Sequence, residues 1–414
     1  MQVIDELVLP DLPMDDPDFA SNPWPHLAAA RQQHSWLAKC SHGFVVHQFS
    51  AIKELLWQDD KLQGAPADIV AMMGAEDTEW GRFQKHSLLA QTGAAHQRIR
   101  SSLAPAFTPR QAMQHRPLMR TVISELLDEW VPKQEFDFED FASNFPIGVM
   151  CSLIGASRDV IPELRSSMEA FGLSFSMDRA HLPALEQAML KLDGFAQSLV
   201  KDRKHRRLPA DQSDLLEVLI ETQERGDLTE RELYDLLVFL FVAGYDTSKN
   251  ALTLLMSVLI DRPDIYERCA EDLAYCRRVV EENFRYLTTS TIPRTAVQDI
   301  EFRDVRIPKG TVLFFPVSIS GRDPTAIPNP DSFDPSRKEI KKHLTFGLGG
   351  HICLGQFIAR AQIEEGLHLI AQRMSNPRRT GPSQWRPFFG VWGMKGLPIA
   401  FDPADYRQDV TADA

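Results

Sequence analysis

Between Thr229 and Asp261 the sequence has room for one uninterrupted helix, stopped by Arg262-Pro263. Thr229-Glu-Arg-Glu232 has the form of a capping box, with threonine at the N-cap and glutamate three residues on. A helix of about 32 residues, at 1.5 Å rise per residue, would span roughly 48 Å, the width of a whole domain. Its middle, Leu236-Leu-Val-Phe-Leu-Phe-Val-Ala-Gly244, is apolar on every side, so it has to be buried. It is too short and too interrupted to span a membrane. The chain must therefore build a large body around this helix, and 43 % hydrophobic residues in 414 are enough for one large core. No linker, internal repeat or low-complexity run divides it, so residues 1–414 read as a single domain.

Polar residues stand at the end of the apolar stretch: Gly244, Asp246 and Thr247. A buried carboxylate is costly unless it is paired or functional. A mid-helix threonine can bond back to the carbonyl four residues earlier, here that of Ala243, and loosen the turn. Taken alone, these residues describe a satisfied structural aspartate in a bent helix. Phe239 and Ala243 lie eight and four residues before Thr247, hence on its face.

A second feature is Phe346-Gly-Leu-Gly-Gly-His-Ile-Cys-Leu-Gly355, followed by the helix-like Gln356-Phe-Ile-Ala-Arg-Ala-Gln-Ile-Glu-Glu365. A cysteine at a helix start meets partial positive charge and unpaired N–H groups, so the thiol of Cys353 is expected to be depressed. The glycines let the backbone wrap close to the sulfur. On its own a single cysteine also reads as a small buried hydrophobe or a catalytic nucleophile. No second cysteine lies at the usual zinc-ligand spacing.

The pattern Phe-x-x-Gly-x-His-x-Cys-x-Gly resembles the haem-binding loop of the cytochrome P-450 family. The resemblance implies that Cys353 is the axial ligand of the iron of haem b. Phe346, Gly347 and Gly355 would shape the loop around it. Ala243-Gly-Tyr-Asp-Thr247 then resembles the family's oxygen-binding groove on the opposite haem face. It implies that Ala243 and Gly244 contact the haem and that Thr247 and Asp246 serve catalysis by managing protons. His96 and Arg100, spaced i and i+4, with Arg294 and His351, match positions that donate to haem propionates; arginine forks and imidazole N–H groups suit carboxylates. Glu282-Asn-Phe-Arg285 would ordinarily be a surface pair worth little. In the family it is buried behind the cysteine loop and joined by an arginine matched here by Arg337, a structural role. Thr289 and Ser290 depart from the family, many members of which carry a proline in this segment, so the wall above the haem is left open.

The fold implied is mainly α with a minor β portion, with haem between the long central helix and the helix after the cysteine loop. Helical patterns run from about 95 to 285 and again over 354–373. Strand-like elements fall near 36–48, 307–317 and 387–401, the last read as a hairpin. Residues 60–92 read as a long loop with short helical pieces.

The resemblance implies a monooxygenase that hydroxylates or epoxidises a substrate with O₂. An H₂O₂-dependent peroxygenase and a non-enzymatic haem sensor or electron carrier are the alternatives. Members with peroxygenase activity typically lack the acid–threonine pair, and a sensor would not require it. Candidate lining residues are Ile69, Phe83, Phe171, Phe175, Phe239, Val242, Ala243, Ile292, Val391 and Trp392. They imply a small or medium hydrophobic substrate such as a terpenoid or an aromatic hydrocarbon. Ordinary core packing is an equal reading for Phe83, Phe171 and Phe175.

Formal charge is −12, which argues against nucleic acid as a partner. Five scattered cysteines make no disulfide framework and point to a reducing compartment. The acidic N-terminus has no basic n-region or long apolar run, so neither a signal peptide nor a membrane anchor is expected, and the protein is expected in the cytoplasm. No flavin or iron–sulfur motif follows Phe401, so electrons are expected from a separate ferredoxin (2Fe-2S) and its NAD(P)H-dependent reductase. Lys338, Lys341, Lys342 and Arg360, with Arg98 and Arg110, are expected to form a positive surface for it.

Overall fold

The central helix runs Glu230–Leu259, with both halves of the capping box in place: Glu232 N–H donates to Thr229 Oγ1 at 3.2 Å, and Thr229 N–H donates to the Glu232 carboxylate at 2.8 Å. It belongs to a computed structural model that describes residues 1–209 and 214–404. Most of its apolar middle is buried, including Leu236, Leu237, Val238, Leu240 and Phe241, as a helix without a polar face requires. Helix Phe138–Ile154 packs most extensively against it, with Leu182–His205, Ile161–Phe171 and Gln356–Arg373 around the remainder. Gln356–Arg373 in turn packs on Arg116–Trp130, Pro263–Glu271 and Leu273–Tyr286.

The β portion sits to one side. A five-stranded sheet has the spatial order Leu37–Cys40, Gly43–Val46, Val312–Phe315, Ile292–Ala296, Leu62–Gly64. Its faces, with Leu37, Val46, Leu313 and Phe315, fill a second apolar cluster with helix Phe49–Leu56. The register sets Arg294 between Leu313 and Gly64, which carries its side chain to the edge of the helical body.

Two readings change. Residues 60–92 hold a strand, Leu62–Gly64, and two eight-residue helices, Pro66–Met73 and Glu79–His86. Gly74 closes the first in the left-handed region and Thr78 caps the second through Gly81 N–H. The 387–401 segment is not one hairpin. Gln384–Trp385 pairs with Met394–Lys395, whereas Pro398–Pro403 lies between Met374–Arg379 and Glu135–Asp137. The 307–317 stretch holds a turn followed by the short strand Val312–Phe315, as expected, between strand Val305–Ile307 and a short helix from Val317. The far end of the span 1–414, and the four residues 210–213, lie outside the described residues.

Candidate functional site

On the buried central helix, one stripe stays open. Phe239, Val242, Ala243, Gly244 and Thr247 retain exposure while their neighbours Leu240, Phe241, Tyr245, Asp246 and Ser248 are buried. The spacing is that of one helix face, so the helix presents this face to an internal space. The Thr247 hydroxyl donates to Ala243 O at 2.9 Å, the back-bond expected of a threonine there.

The cysteine loop is built by two left-handed glycines and a backbone bridge. Gly347 and Gly349 have φ of +68° and +72°, which a side chain would strain. Cys353 N–H then donates to Phe346 O at 2.7 Å, and the Phe346 ring meets Phe284 edge-on at 5.0 Å. Gly355 caps the following helix. Cys353 is exposed, unlike Cys151, Cys269 and Cys276, which are buried. Its thiol does not behave as the helix start alone implies. Burial by the surrounding loop pushes it above the ordinary value, against the lowering pull of Gly355 N–H, Arg100 and Arg360. Cys353 keeps open surface yet lies deep within the protein, and the surrounding protein mass outweighs the partial dipole charge.

Next to the loop four basic side chains converge. The His96 and His351 rings stand 4.2 Å apart, and Arg100 Nη2 donates to Ile352 O at 2.6 Å. His351 is driven down to about 3 by burial first, then by Arg294, His96 and Arg100. Arg294 is buried, which lowers it to about 10; its one hydrogen bond among the described residues is to Pro293 O at 3.0 Å. His96 Nε2 is buried with no hydrogen-bond partner. The nearby acid is Asp59, which accepts from Gly350 N–H. A cluster of this sign, with unspent donors, fits a ligand carrying two carboxylates.

Behind the loop, Glu282 accepts two hydrogen bonds from Arg285, at 2.7 and 2.9 Å, and one from Arg337 Nε at 3.0 Å. Arg285 also donates to Gly321 O, Pro330 O and Ser332 O, and Arg337 to Pro328 O, Asn329 O and Ser332 O. The two arginines thereby stitch the irregular stretch 321–337 to helix Leu273–Tyr286.

The Arg and His cluster and the buried Glu-x-x-Arg knot both adjoin the cysteine loop, and the helix that follows the loop packs on the central helix that bears the open stripe. The sequence profile of the cytochrome P450 family matches residues 41–376. The chain belongs to the cytochrome P450 family. It is 31 % identical over 96 % of its length, and 97 % of the relative's, to the luteothin monooxygenase of Streptomyces thioluteus. It is 28 % identical over 77 % of its length, and 81 % of the relative's, to the biotin biosynthesis cytochrome P450 of Bacillus subtilis. Among solved structures, P450BioI in complex with an acyl carrier protein ligated to hexadec-9Z-enoic acid superposes with TM-score 0.84 at 25 % identity, covering 93 % of this chain and all of the other. The protein is thus a P450 monooxygenase with a haem-thiolate cofactor. Among the described residues, no helix is long and apolar enough to cross a membrane.

The expected lining residues divide. Phe239, Val242, Ala243, Phe175, Ile292 and Val391 keep exposure. Ile69, Phe83, Phe171 and Trp392 are packed away: Phe83 and Phe171 meet edge-on at 5.4 Å, and the Trp392 indole N–H donates to Ala20 O at 2.8 Å while its ring stacks on Trp385. The expected positive surface also shrinks. Arg360 is bound to Glu281 and lies over the Phe346 ring, 4.3 Å from its centre; Arg98 pairs with Glu232 at 2.5 Å. Lys338, Lys341, Lys342 and Arg110 remain exposed, with Lys342 reaching Glu339 at 3.4 Å.

Sequence reasoning missed five participants: His343, Glu281, Lys249, Arg386 and Asp59. His343 Nε2 lies 3.0 Å from Glu281, so Glu281 holds both His343 and Arg360 against the loop. Lys249 and Arg386 flank Asp246. Asp59 closes over Gly349, where a Cβ would collide with it. The adjacent Glu281-Glu282 pair was the one visible signal.

Proposed function

We propose that this P450 hydroxylates or epoxidises a small or medium hydrophobic molecule, a terpenoid or an aromatic hydrocarbon, with electrons from a separate ferredoxin and its NAD(P)H-dependent reductase, and that residues 1–414 act as one domain. The observation that carries the reading is the open apolar stripe Phe239–Val242–Ala243 leading to the Thr247 hydroxyl on an otherwise buried helix. Cys353 would ligate the iron, Arg100, Arg294, His96 and His351 would take the propionates, and Phe346 with the glycine loop would cover the sulfur. Held there, haem supplies O₂ activation, with one oxygen atom going to substrate and the other to water, and the thiolate donating electron density to the iron.

The chain's own residues bind substrate and manage protons. Phe239, Val242, Ile292 and Val391 exclude water and seat an apolar molecule against the helix. Thr247 exchanges its bond to Ala243 O for one into the cavity and delivers a proton there. Asp246, one residue earlier, replaces that proton from solvent. A screen of hydrophobic compounds for type-I spectral shifts, followed by product analysis with NADH and surrogate redox partners, tests the reading. Shifts and oxygenated products confined to charged, hydrophilic compounds would overturn the substrate class.

A further inference from the structure

Behind Thr247, Asp246 belongs to a group of four charges, and the other three, Lys249, Glu139 and Arg386, have no role in the proton route above. Lys249, fully buried on the central helix, comes three residues after Asp246. Its Nζ is 2.9 Å from Glu139 Oε1 and 3.0 Å from Asp246 Oδ1. Arg386 reaches the same two carboxylates, Glu139 Oε1 at 3.0 Å and Asp246 Oδ1 at 3.5 Å. Two carboxylates therefore share two cations, and any change at one alters the hold on the other.

The two acids are not held alike. Glu139 sits in the first turn of helix Phe138–Ile154, and its second oxygen accepts from Gly396 N–H at 3.0 Å. Asp246 receives no well-directed hydrogen bond from the described residues, although both its cations are close. Its carboxylate presses against Gly172, where a Cβ would collide with it. Asp246 is thus drawn aside by cations alone, whereas Glu139 is anchored by backbone as well.

We propose that Lys249 is a positioning residue for proton delivery: it holds the Asp246 carboxylate toward Glu139, and Glu139 keeps Lys249 seated when Asp246 turns to serve Thr247. The proposal rests on the reading of Asp246 and Thr247 as a proton relay. In each cycle Asp246 takes a proton from water and passes it to the Thr247 oxygen as Thr247 gives up its own proton into the cavity. Both residues end as they began, and Lys249 gains and loses nothing. The charged groups facing Asp246 are Lys249 on its own helix, Glu139 on the neighbouring helix and Arg386 from the C-terminal segment. Tyr245 is adjacent, with its hydroxyl 3.3 Å from Glu169, which pairs with Arg165.

Two substitutions move the shared charge in opposite senses. Lys249→Met strips a cation from Asp246, so its carboxylate takes up a proton at higher pH. Glu139→Gln removes the competitor and leaves both cations to Asp246, which then stays ionised to lower pH. The measurement is the pH profile of product formed per NADH consumed in the haem-loaded enzyme, with haem content and thermal midpoint as controls for structure. The acidic limb is expected to move up by a pH unit or more in Lys249→Met and down in Glu139→Gln, and to be lost in Asp246→Asn whether or not Lys249 is present. A limb that stays in place, or moves the same way in both variants, while Asp246→Asn abolishes it, overturns the role of Lys249. If Lys249→Met fails to fold, the downward shift in Glu139→Gln decides. A profile untouched by Asp246→Asn removes the relay itself, and the proposal with it.

Discussion

At the scale of single residues, chemistry depends on which side chains the fold leaves open. Cys353 is reachable in a loop that is itself partly open, and Thr247 is reachable although Tyr245, Asp246 and Ser248 beside it are buried. The motif made both residues legible, but not their electrostatics. A helix start alone implies a depressed thiol, yet burial raises Cys353, because desolvation depends on the whole loop and not on local sequence. Replacing Cys353 by serine removes the soft ligand and is expected to abolish the thiolate-ligated reduced-CO band. A band near that of the parent would show that another residue holds the iron. Thr247→Ala removes the hydroxyl now bonded to Ala243 O and should leave haem content unchanged. Product per NADH is expected to fall several-fold with H₂O₂ rising in its place, and unchanged coupling would take Thr247 out of proton delivery.

Elements were legible where one period ran long and its ends were marked. The central helix was visible over its whole length because the capping box and Arg262-Pro263 bound a run with a wholly apolar middle, Leu236–Gly244. The helices Pro66–Met73 and Glu79–His86 were legible only as short helical pieces without bounds, since eight residues are too few to show a period among loop-like glycines. Strand Pro398–Pro403 was misassigned because its partners, Met374–Arg379 and Glu135–Asp137, are distant in sequence. Between elements, the Glu282 knot is the joint on which the cysteine loop leans. Glu282→Leu would strand Arg285 and Arg337 beside each other in the interior, and losing one partner of a buried pair costs about 3–5 kcal/mol. A urea midpoint and haem retention unchanged from the parent would contradict this. Glu139 makes a second joint with a pH signature. Burial alone would raise its carboxyl, but Lys249, Arg386 and Gly396 N–H outweigh that and bring it from 4.5 to about 2. A depressed acid stabilises the fold at pH above its unfolded value and loses that contribution as pH falls through the folded one, here between about 4.5 and about 2. The contribution at neutral pH is on the order of 3 kcal/mol. Glu139→Gln should therefore flatten stability across that window in an acid titration followed by circular dichroism.

For the molecule as a whole, charge decides how electrons arrive. A net charge of −12 would repel an acidic donor unless one face is locally basic. Sequence proximity overestimates that face. Arg98 is neutralised by Glu232, 134 residues away, and Arg360 by Glu281, 79 residues away, pairings that no linear reading reveals. What remains close in sequence to the cysteine loop is Lys338, Lys341 and Lys342, all exposed, with Arg110 exposed shortly after the helix that bears Arg100. Exposed lysines contribute little to stability but steer encounters over about a Debye length, roughly 8–10 Å at ordinary salt. Replacing Lys341 and Lys342 together by glutamine should leave folding and dithionite reduction unaffected. Reduction by a ferredoxin is expected to slow several-fold at low ionic strength, and the difference from the parent should vanish as salt is raised, because screening removes the same attraction. Stopped-flow rates that ignore both the double substitution and ionic strength would place the donor on a different face.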